Sequence, residues 1–378
     1  MTTKTNLLNF DRQELGQYFE TLGEKSFRAN QVFKWIHQEF ETNFNQMNNL
    51  SKTLRVRLAQ ETVVEMPQIE KTQISNDGTR KWLMRLADGN GVEVVLIPES
   101  DRATLCISSQ VGCVLNCSFC ATAQQGFNRN LKTAEIVGQV WQAWNELASE
   151  QDSKRSLQRE GKDPRPITNI VLMGMGEPLL NFDEVTKAIR ILLDDFAFGL
   201  SKRRITLSTA GVIPGMAKLA KELPVSLAVS LHATNDELRN TLVPLNKKYG
   251  ISPLLEACRE YVKGRARTRV TFEYLMLDKV NDSDEQAHEL VKLLKDVPAK
   301  VNLIPFNPVE NTPYKRSTSG RVNAFREILM QNGIITVTRK TRGDDIDAAC
   351  GQLVGKVDDR TKRSMRLKVK FELKGNAA

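Results

Sequence analysis

The stretch TLCISSQVGCVLNCSFC, residues 104–120, places three cysteines directly after a short apolar run. The run predicts a buried β-strand, and Cys113, Cys117 and Cys120 share the loop that follows it. Three thiolates in one loop can converge on a single soft metal centre. Structural zinc usually takes four protein ligands in two separated pairs, and the sequence offers no fourth ligand near this loop. The spacing indicates a cubane iron–sulfur cluster with one open iron, with an open catalytic zinc or three buried core cysteines as the alternatives.

Outward from this stretch, short apolar runs alternate with helical patterns along the chain. Five further runs predict buried strands: NIVLMG (169–174), RITLSTA (204–210), SLAVSLHA (226–233), VTFEYLM (270–276) and KVNLIPF (300–306). Six strands alternating with helices favour an α/β fold built on a parallel sheet of βα units. The pattern does not decide whether that sheet closes. Active sites in such folds lie at the carboxyl ends of the strands, where the cysteine loop also falls.

The flanks of the βα region have patterns of their own. The first residues carry apolar side chains at helical spacing, whereas a later stretch alternates like strands around the turn signal Asn76-Asp77-Gly78. We therefore predict four segments: a helical accessory domain over 1–68, an antiparallel strand linker with Glu93 over 69–98, the α/β core over 99–343, and a C-terminal segment with Cys350 and a basic tail over 344–378. The polar stretch 149–166 predicts a solvated loop within the core.

Charge and composition narrow the class of partner. The chain has 378 residues with 54 Lys and Arg against 45 Asp and Glu, and its net charge of +9 favours an anionic partner. The apolar runs are too short to cross a bilayer, and the first residues lack a secretory pattern. Six cysteines in such a chain do not predict a disulfide framework. We expect a cytoplasmic monomer with no membrane partner.

Several motifs together carry a resemblance to a known family. Besides C-x3-C-x2-C, they are SSQVGCVLNCSFCATAQQGFNRNL (108–131), VLMGMGEPLLN (171–181), LSTAG (207–211), SLHA (230–233), NLIPFNP (302–308) and RGDDIDAACGQL (342–353). With them the chain resembles the RlmN/Cfr family of radical S-adenosylmethionine (radical SAM) RNA methyltransferases. The resemblance runs from about Glu93 to Gln352. It implies an incomplete (β/α)6 radical SAM barrel preceded by a small helical accessory domain and a short antiparallel sheet.

The resemblance also implies how the cofactors bind. Cys113, Cys117 and Cys120 would hold a [4Fe-4S] cluster, and the amino and carboxylate groups of SAM would chelate its open iron. MGMGEP resembles the element that binds the SAM amino group, although Met175 replaces a glycine of the family pattern. Taken alone, MGMGEP indicates only a glycine-bearing turn after a strand. The positions that match SAM contacts of the family are Gly176, Glu177, Ser208, Ser230, Leu231, His232 and Asn307.

Two more cysteines and one carboxylate match the family's catalytic positions. Cys350 would accept a methyl group from one SAM, and a second SAM per turnover would give a 5′-deoxyadenosyl radical that activates this methyl group. The carbon radical would add to adenine and form a transient protein–RNA adduct. Glu93 would accept the proton from the attacked carbon, and Cys106 would release the adduct through a transient disulfide with Cys350. Cys258 shares a helical face with Leu254 and reads as a core residue.

The implied reaction is methylation of adenosine C2 in the peptidyl-transferase centre of 23S rRNA and in tRNA, at the adenosine 3′ to the anticodon. A flavodoxin-type protein is the implied electron donor. The alternative within the family is methylation of adenosine C8 with the same residues. From other classes, the alternatives are a non-catalytic RNA-binding protein with a structural metal and a radical SAM enzyme acting on a small molecule or protein. The basic clusters that favour RNA are 202–204, 247–248, 265–269, 339–342 and the tail from Arg360.

Overall fold

The computed structural model describes residues 4–153 and 165–366. Most of the polar stretch predicted as a solvated loop, residues 154–164, lies outside the described residues, as does the basic tail after Arg366. Within the described ranges, no helix has the length and apolar character needed to cross a membrane.

The N-terminal residues fold into the predicted small helical domain. It contains α1 (Arg12–Thr21), α2 (Ser26–His37), α3 (Lys52–Glu61) and a short parallel strand pair, β1 (Thr5–Asn6) with β2 (Thr62–Val63). α1 begins at a capping box, in which the Asp11 carboxylate accepts from the Glu14 amide and the Glu14 carboxylate accepts from the Asp11 amide. The apolar faces that predicted the helices are buried between them, including Phe19 and Phe33.

One mixed sheet forms the rest of the framework. Its ten strands follow the order β14-β13-β12-β11-β10-β9-β6-β5-β4-β3. Their bounds are β3 (Gln68–Ile74), β4 (Arg80–Arg85), β5 (Gly91–Pro98), β6 (Ala103–Cys106), β9 (Asn169–Leu172), β10 (Ile205–Thr209), β11 (Ser226–Ser230), β12 (Val270–Met276), β13 (Ala299–Pro305) and β14 (Ile335–Thr338). Neighbours from β6 to β14 run parallel, as predicted for the α/β core.

The sheet stays open, so the barrel is incomplete. β14 and β3 stand at its two ends and do not pair with each other. β14 adds one parallel strand to the six that the sequence predicted. The antiparallel strands β3, β4 and β5 continue the core sheet, since β5 pairs with β6 in the register Val95 to Cys106. A separate short antiparallel pair, β7 (Gln110–Gly112) with β8 (Phe127–Asn130), frames the cysteine loop.

Helices connect the parallel strands and bring their carboxyl ends to one edge of the sheet. They are α4 (Ala121–Gln124), α5 (Thr133–Ser153), α6 (Phe182–Leu193), α7 (Ile213–Glu222), α8 (Asp236–Leu242), α9 (Ile251–Val262), α10 (Asp284–Leu294) and α11 (Ser319–Gln331). One apolar core contains residues from both the sheet and the N-terminal domain. The indole Nε1 of Trp141 on α5 donates to the carbonyl of Ile36 at 2.8 Å, and Phe40 packs against Trp141. The N-terminal domain is therefore docked on the core.

The junction between the two parts depends on a glycine of α5. A Cβ at Gly138 would lie 2.6 Å from Met66 Cβ and 2.6 Å from Pro67 Cδ, which is too close for either neighbour. We expect Gly138→Ala to lower the free energy of unfolding by about 1–3 kcal/mol through overpacking. The measurement is equilibrium denaturation of the purified full chain.

The matched control is Gly320→Ala in α11, where a Cβ would meet nothing within 4 Å. This substitution should leave stability unchanged or raise it slightly, because alanine has the higher helix propensity. Equal losses for the two variants would contradict the packing argument.

Candidate active site

The three clustered cysteines lie at the carboxyl edge of the parallel strands, where they line a cavity. Their loop runs from the end of β7 to the start of α4, and the Cys113 amide donates to the carbonyl of Gly126 at 2.8 Å. Burial raises the pKa of Cys113 to about 12 and that of Cys117 well above its usual value. Neighbouring thiols add to both shifts, which shows that the three sulfurs are close enough to interact.

The donor set fits a cluster better than a single ion. In the part of the chain that the structure describes, no three His, Cys, Asp or Glu side chains converge tightly enough to hold one metal ion. A cubane distributes its cysteine ligands over separate irons, and its ligands are thiolates. Three partly buried thiols around one cavity, with no histidine among the loop residues, match that requirement. This arrangement disfavours the zinc alternative.

Gly176 and Glu177 follow β9 and face the same cavity. Gly176 has φ of +102°, and a Cβ there would lie 2.5 Å from Gln110 Cβ, so only glycine fits. The Glu177 carboxylate is buried and accepts from the amides of Ala210 at 2.8 Å and Leu179 at 3.1 Å. Burial raises the pKa of Glu177 to about 7 even though these hydrogen bonds oppose the shift. A carboxylate in this position is suited to binding an ammonium group.

Met175, which replaces a family glycine, does not block the cavity. It is absent from the cavity lining, and the Glu93 amide donates to its sulfur at 3.4 Å. Its own amide donates to Ser108 Oγ at 2.9 Å. The Met175 side chain is thus buried beside β5 and lies outside the cavity lining.

The other predicted SAM contacts divide into two groups. Ser208, Ser230 and His232 line the cavity, whereas Leu231 and Asn307 are buried behind it. His232 has a φ of +61°, and its Nδ1 accepts from the Leu275 amide at 3.1 Å. Burial lowers the pKa of His232 to about 3, so this imidazole is neutral and serves as an acceptor.

Cys350 lines the cavity that the cluster cysteines share. The Asn307 amide group donates to the carbonyl of Cys350 at 3.4 Å, so Asn307 positions the backbone of this cysteine. Cys106, the last residue of β6, is buried, and burial together with the nearby Cys350 raises its pKa to about 12. All six cysteines are free thiols in this structure.

Arg339 is a cavity residue that the sequence analysis grouped with the RNA-binding clusters. The sulfur of Cys350 is the main cause that raises the pKa of this guanidinium, and the buried Glu273 contributes. Arg339 directly follows β14, a strand that the sequence did not predict. If ITVT (335–338) had been predicted as a strand, Arg339 would have been placed at the carboxyl edge of the parallel strands, where the cavity lies.

Glu93 lies on β5 beneath the segment that carries Cys350. Its carboxylate contacts Lys81 Nζ at 3.3 Å and accepts from the Val354 amide at 2.8 Å. Burial raises the pKa of Glu93, while Lys81 opposes the shift. Two carboxylates just beyond β5 differ, because Glu99 pairs with Arg102 at the surface and Asp101 is exposed.

Arg239 is a second functional residue that the sequence analysis missed. It is fully buried, and its guanidinium donates to the carbonyls of Ala210 at 2.8 Å, Ser230 at 2.8 Å and Leu231 at 3.1 Å. These carbonyls belong to the ends of β10 and β11 that form the cavity wall. An arginine on a polar helix gives no sequence signal for such a position.

Comparisons with known proteins agree with this site. Residues 5–64 match the family model of the ribosomal RNA large subunit methyltransferase (RlmN) N-terminal domain, and residues 107–291 match the Radical SAM superfamily. A radical SAM methyltransferase from Sphaerobacter thermophilus is 43% identical, covers 92% of this chain and 99% of its own, and superposes with a TM-score of 0.84. SuiB of Streptococcus suis bound to SAM is 13% identical over 67% of this chain and 56% of its own, with a TM-score of 0.44.

Three findings lead to one assignment. They are the family model of the N-terminal domain, the superfamily match over the cysteine loop, and the near full-length similarity to a methyltransferase. This chain belongs to the RlmN family of radical SAM methyltransferases, enzymes that use SAM and a [4Fe-4S] cluster.

Proposed function

We propose that this enzyme methylates carbon 2 of adenosine in 23S rRNA, at the peptidyl-transferase centre, and in tRNA, at the adenosine 3′ to the anticodon. The observation that carries the proposal is the position of Cys350 in the same cavity as Cys113, Cys117 and Cys120. A cavity that only bound SAM would not need a further thiol. The N-terminal match to ribosomal RNA large subunit methyltransferases supports rRNA as a substrate.

Different cavity residues would bind the cluster and SAM. Cys113, Cys117 and Cys120 would hold the cluster, and the carboxylate of Glu177 would hold the SAM ammonium next to Gly176. When bound, the cluster and two SAM molecules per turnover supply a methyl group and a 5′-deoxyadenosyl radical. The residues that would orient SAM are Ser208, Ser230 and His232 at the wall, with Leu231 and Asn307 behind them.

Cys350 would accept the methyl group and later bond to the adenine through it. A methyl-accepting cysteine reacts as its thiolate, and Arg339 places a positive charge in the cavity beside it. Glu93 would take the proton from the attacked carbon. Cys106 would then free the product by a transient disulfide with Cys350; it is buried at the carboxyl end of β6, outside the cavity lining.

The enzyme would recognise RNA through the charged phosphate backbone and would extrude the target base from the stack. A base atom inside a stack is out of reach, so the adenosine must leave the stack and enter the cavity. The net charge of +9 favours phosphate contacts. Since Arg339 faces the cavity, we assign this residue to the active site and leave the other basic residues of the clusters as candidates for RNA binding. A flavodoxin-type protein would donate the electron.

The assay that tests the proposal is product identification. Protein purified without oxygen and reconstituted with iron and sulfide is incubated with SAM, a reductant, a 23S rRNA fragment and bulk tRNA. Mass spectrometry of the digested nucleosides should show 2-methyladenosine from both RNAs. 8-Methyladenosine would contradict the C2 assignment, and SAM cleavage without a methylated nucleoside would contradict the RNA assignment.

The role of Glu93 has its own test. Glu93→Gln keeps the side-chain shape but removes the proton acceptor, so we expect Cys350 methylation to proceed and the reaction to stall at the protein–RNA adduct. Overall turnover should fall by about 100-fold or more, as for loss of a general base. The measurements are denaturing gel electrophoresis for the adduct and nucleoside analysis for turnover.

Glu99→Gln is the matched control, because Glu99 pairs with Arg102 at the surface, whereas Glu93 accepts from the segment that carries Cys350. It should turn over normally and leave no adduct. Normal turnover of Glu93→Gln would remove Glu93 from the mechanism.

A further inference from the structure

A single arginine in the C-terminal segment organises the cysteine loop. The guanidinium of Arg363 lies within hydrogen-bonding distance of four carbonyl oxygens: Cys113 at 3.1 Å, Val114 at 3.1 Å, Leu115 at 2.7 Å and Ala123 at 2.8 Å. Three of these carbonyls belong to consecutive residues at the start of the loop, and the fourth lies in α4. Arg363 therefore joins the two ends of the loop that carries all three clustered cysteines.

The loop needs such a partner because it has little regular structure. Between β7 and α4 the loop lies outside any strand or helix, and Arg363 is the side chain that contacts the carbonyls of Cys113, Val114 and Leu115. Three of these hydrogen bonds are partly buried and the one to Val114 is exposed, so each contributes about 0.5–1.5 kcal/mol net. A planar guanidinium presents several N–H donors in fixed directions, which lysine cannot reproduce. Nη1 contacts the carbonyls of Cys113, Leu115 and Ala123, and Nη2 contacts that of Val114, so one N–H of Nη1 is shared between two acceptors.

A turn around Asp359 aims Arg363 at the loop. The Asp359 carboxylate accepts from the amides of Thr361 at 2.8 Å and Ser364 at 2.8 Å, and also from the Phe127 amide at 3.3 Å. These bonds hold the pKa of Asp359 well below its usual value. The turn is thereby attached to β8, the strand that pairs with β7.

The close approach of this turn requires a glycine at position 126. A Cβ there would lie 2.0 Å from an Asp359 oxygen, and the positive φ of +83° also favours glycine. The carbonyl of Gly126 accepts from the Cys113 amide, so the same residue contacts both the turn and the first cysteine. Gly126, Asp359 and Arg363 form one connected support of the loop.

The charge of Arg363 acts on the same cysteines. An iron–sulfur cluster with thiolate ligands is anionic, and its reduction adds a further negative charge. Hydrogen bonds and charges near the sulfurs tune the reduction potential of such a cluster. The Arg363 guanidinium lies 3.1 Å from the carbonyl of Cys113, which places its positive charge next to this proposed ligand. A cation at this position should stabilise the reduced cluster more than the oxidised one.

We propose that Arg363 is a positioning residue for the cluster, which holds the cysteine loop in its ligand-binding shape and makes the cluster easier to reduce. The proposal rests on the proposed assignment of Cys113, Cys117 and Cys120 as cluster ligands. On this proposal, the C-terminal segment both carries Cys350 and supports the cluster site.

The test compares Arg363→Met and Arg363→Lys with the wild-type full chain after anaerobic reconstitution. Arg366→Met is the matched control, because Arg366 is exposed and three residues along the same segment. The readouts are the rate of iron loss to a chelator and the midpoint potential of the cluster, followed by electron paramagnetic resonance. Circular dichroism of the apoproteins checks that each variant is folded.

We expect Arg363→Met to lose iron about 10-fold faster or more and to shift the midpoint potential to a more negative value. Arg363→Lys should restore much of the potential, since it keeps the charge, but not the iron retention, since it lacks the fork. Arg366→Met should match the wild type in both readouts. Gly126→Ala, which displaces Asp359, should also speed iron loss without removing a charge.

Two results would overturn the inference. One is a folded Arg363→Met protein with wild-type iron retention and potential. The other is an equal change in Arg366→Met, which would reduce the effect to surface charge. Failure of the proposed ligand assignment is distinguishable from both results. The wild-type chain itself would then bind no [4Fe-4S] cluster, and neither it nor any variant would show a cluster signal in electron paramagnetic resonance.

Discussion

The structure depends on the hydrogen bonds that fasten the C-terminal segment across the cysteine loop. The Ala121 amide donates to the carbonyl of Gly351 at 2.8 Å, Thr122 Oγ1 to that of Leu353 at 2.8 Å, and Gln125 Nε2 to that of Gly355 at 2.8 Å. Each such bond contributes about 0.5–1.5 kcal/mol net, so the set fixes the segment firmly. Cys350 thereby shares a cavity with cysteines more than two hundred residues earlier in the chain. Without this attachment the cavity would be an ordinary cofactor site.

Buried charge is the second feature that sets this site apart. Glu177, Glu273 and Glu93 are all buried carboxylates, and their pKa values are raised by burial. Two of these carboxylates have a cation close by: Lys81 forms an ion pair with Glu93, and Arg339 lies near Glu273. Paired buried charges are costly to break, because removing one partner leaves the other unpaired. Loss of Lys81 or Arg339 would therefore leave a buried carboxylate without its cation.

The sequence predicted the framework better than the residues that support the site. Strands such as VTFEYLM are buried on both faces and read as continuous apolar runs, so the parallel sheet was predictable. β14 was not, because Ile335 and Val337 are exposed at the end of the sheet and the run is short. The cysteine spacing revealed the cluster loop, but Arg239 and Arg363 act through backbone carbonyls of distant segments. Such contacts depend on tertiary placement and leave no local pattern, and the same holds for Lys81.

The central claim is that Cys350 is the methyl-accepting residue of this cavity, and locating the methyl group tests it most directly. The reconstituted protein is incubated with methyl-labelled SAM in the absence of RNA, digested, and mapped by peptide mass spectrometry. The account predicts label on Cys350 in the wild type and in Cys258→Ala, since Cys258 is buried in the core on α9. Label on another cysteine, or no protein-bound label while the cluster is intact, would contradict it.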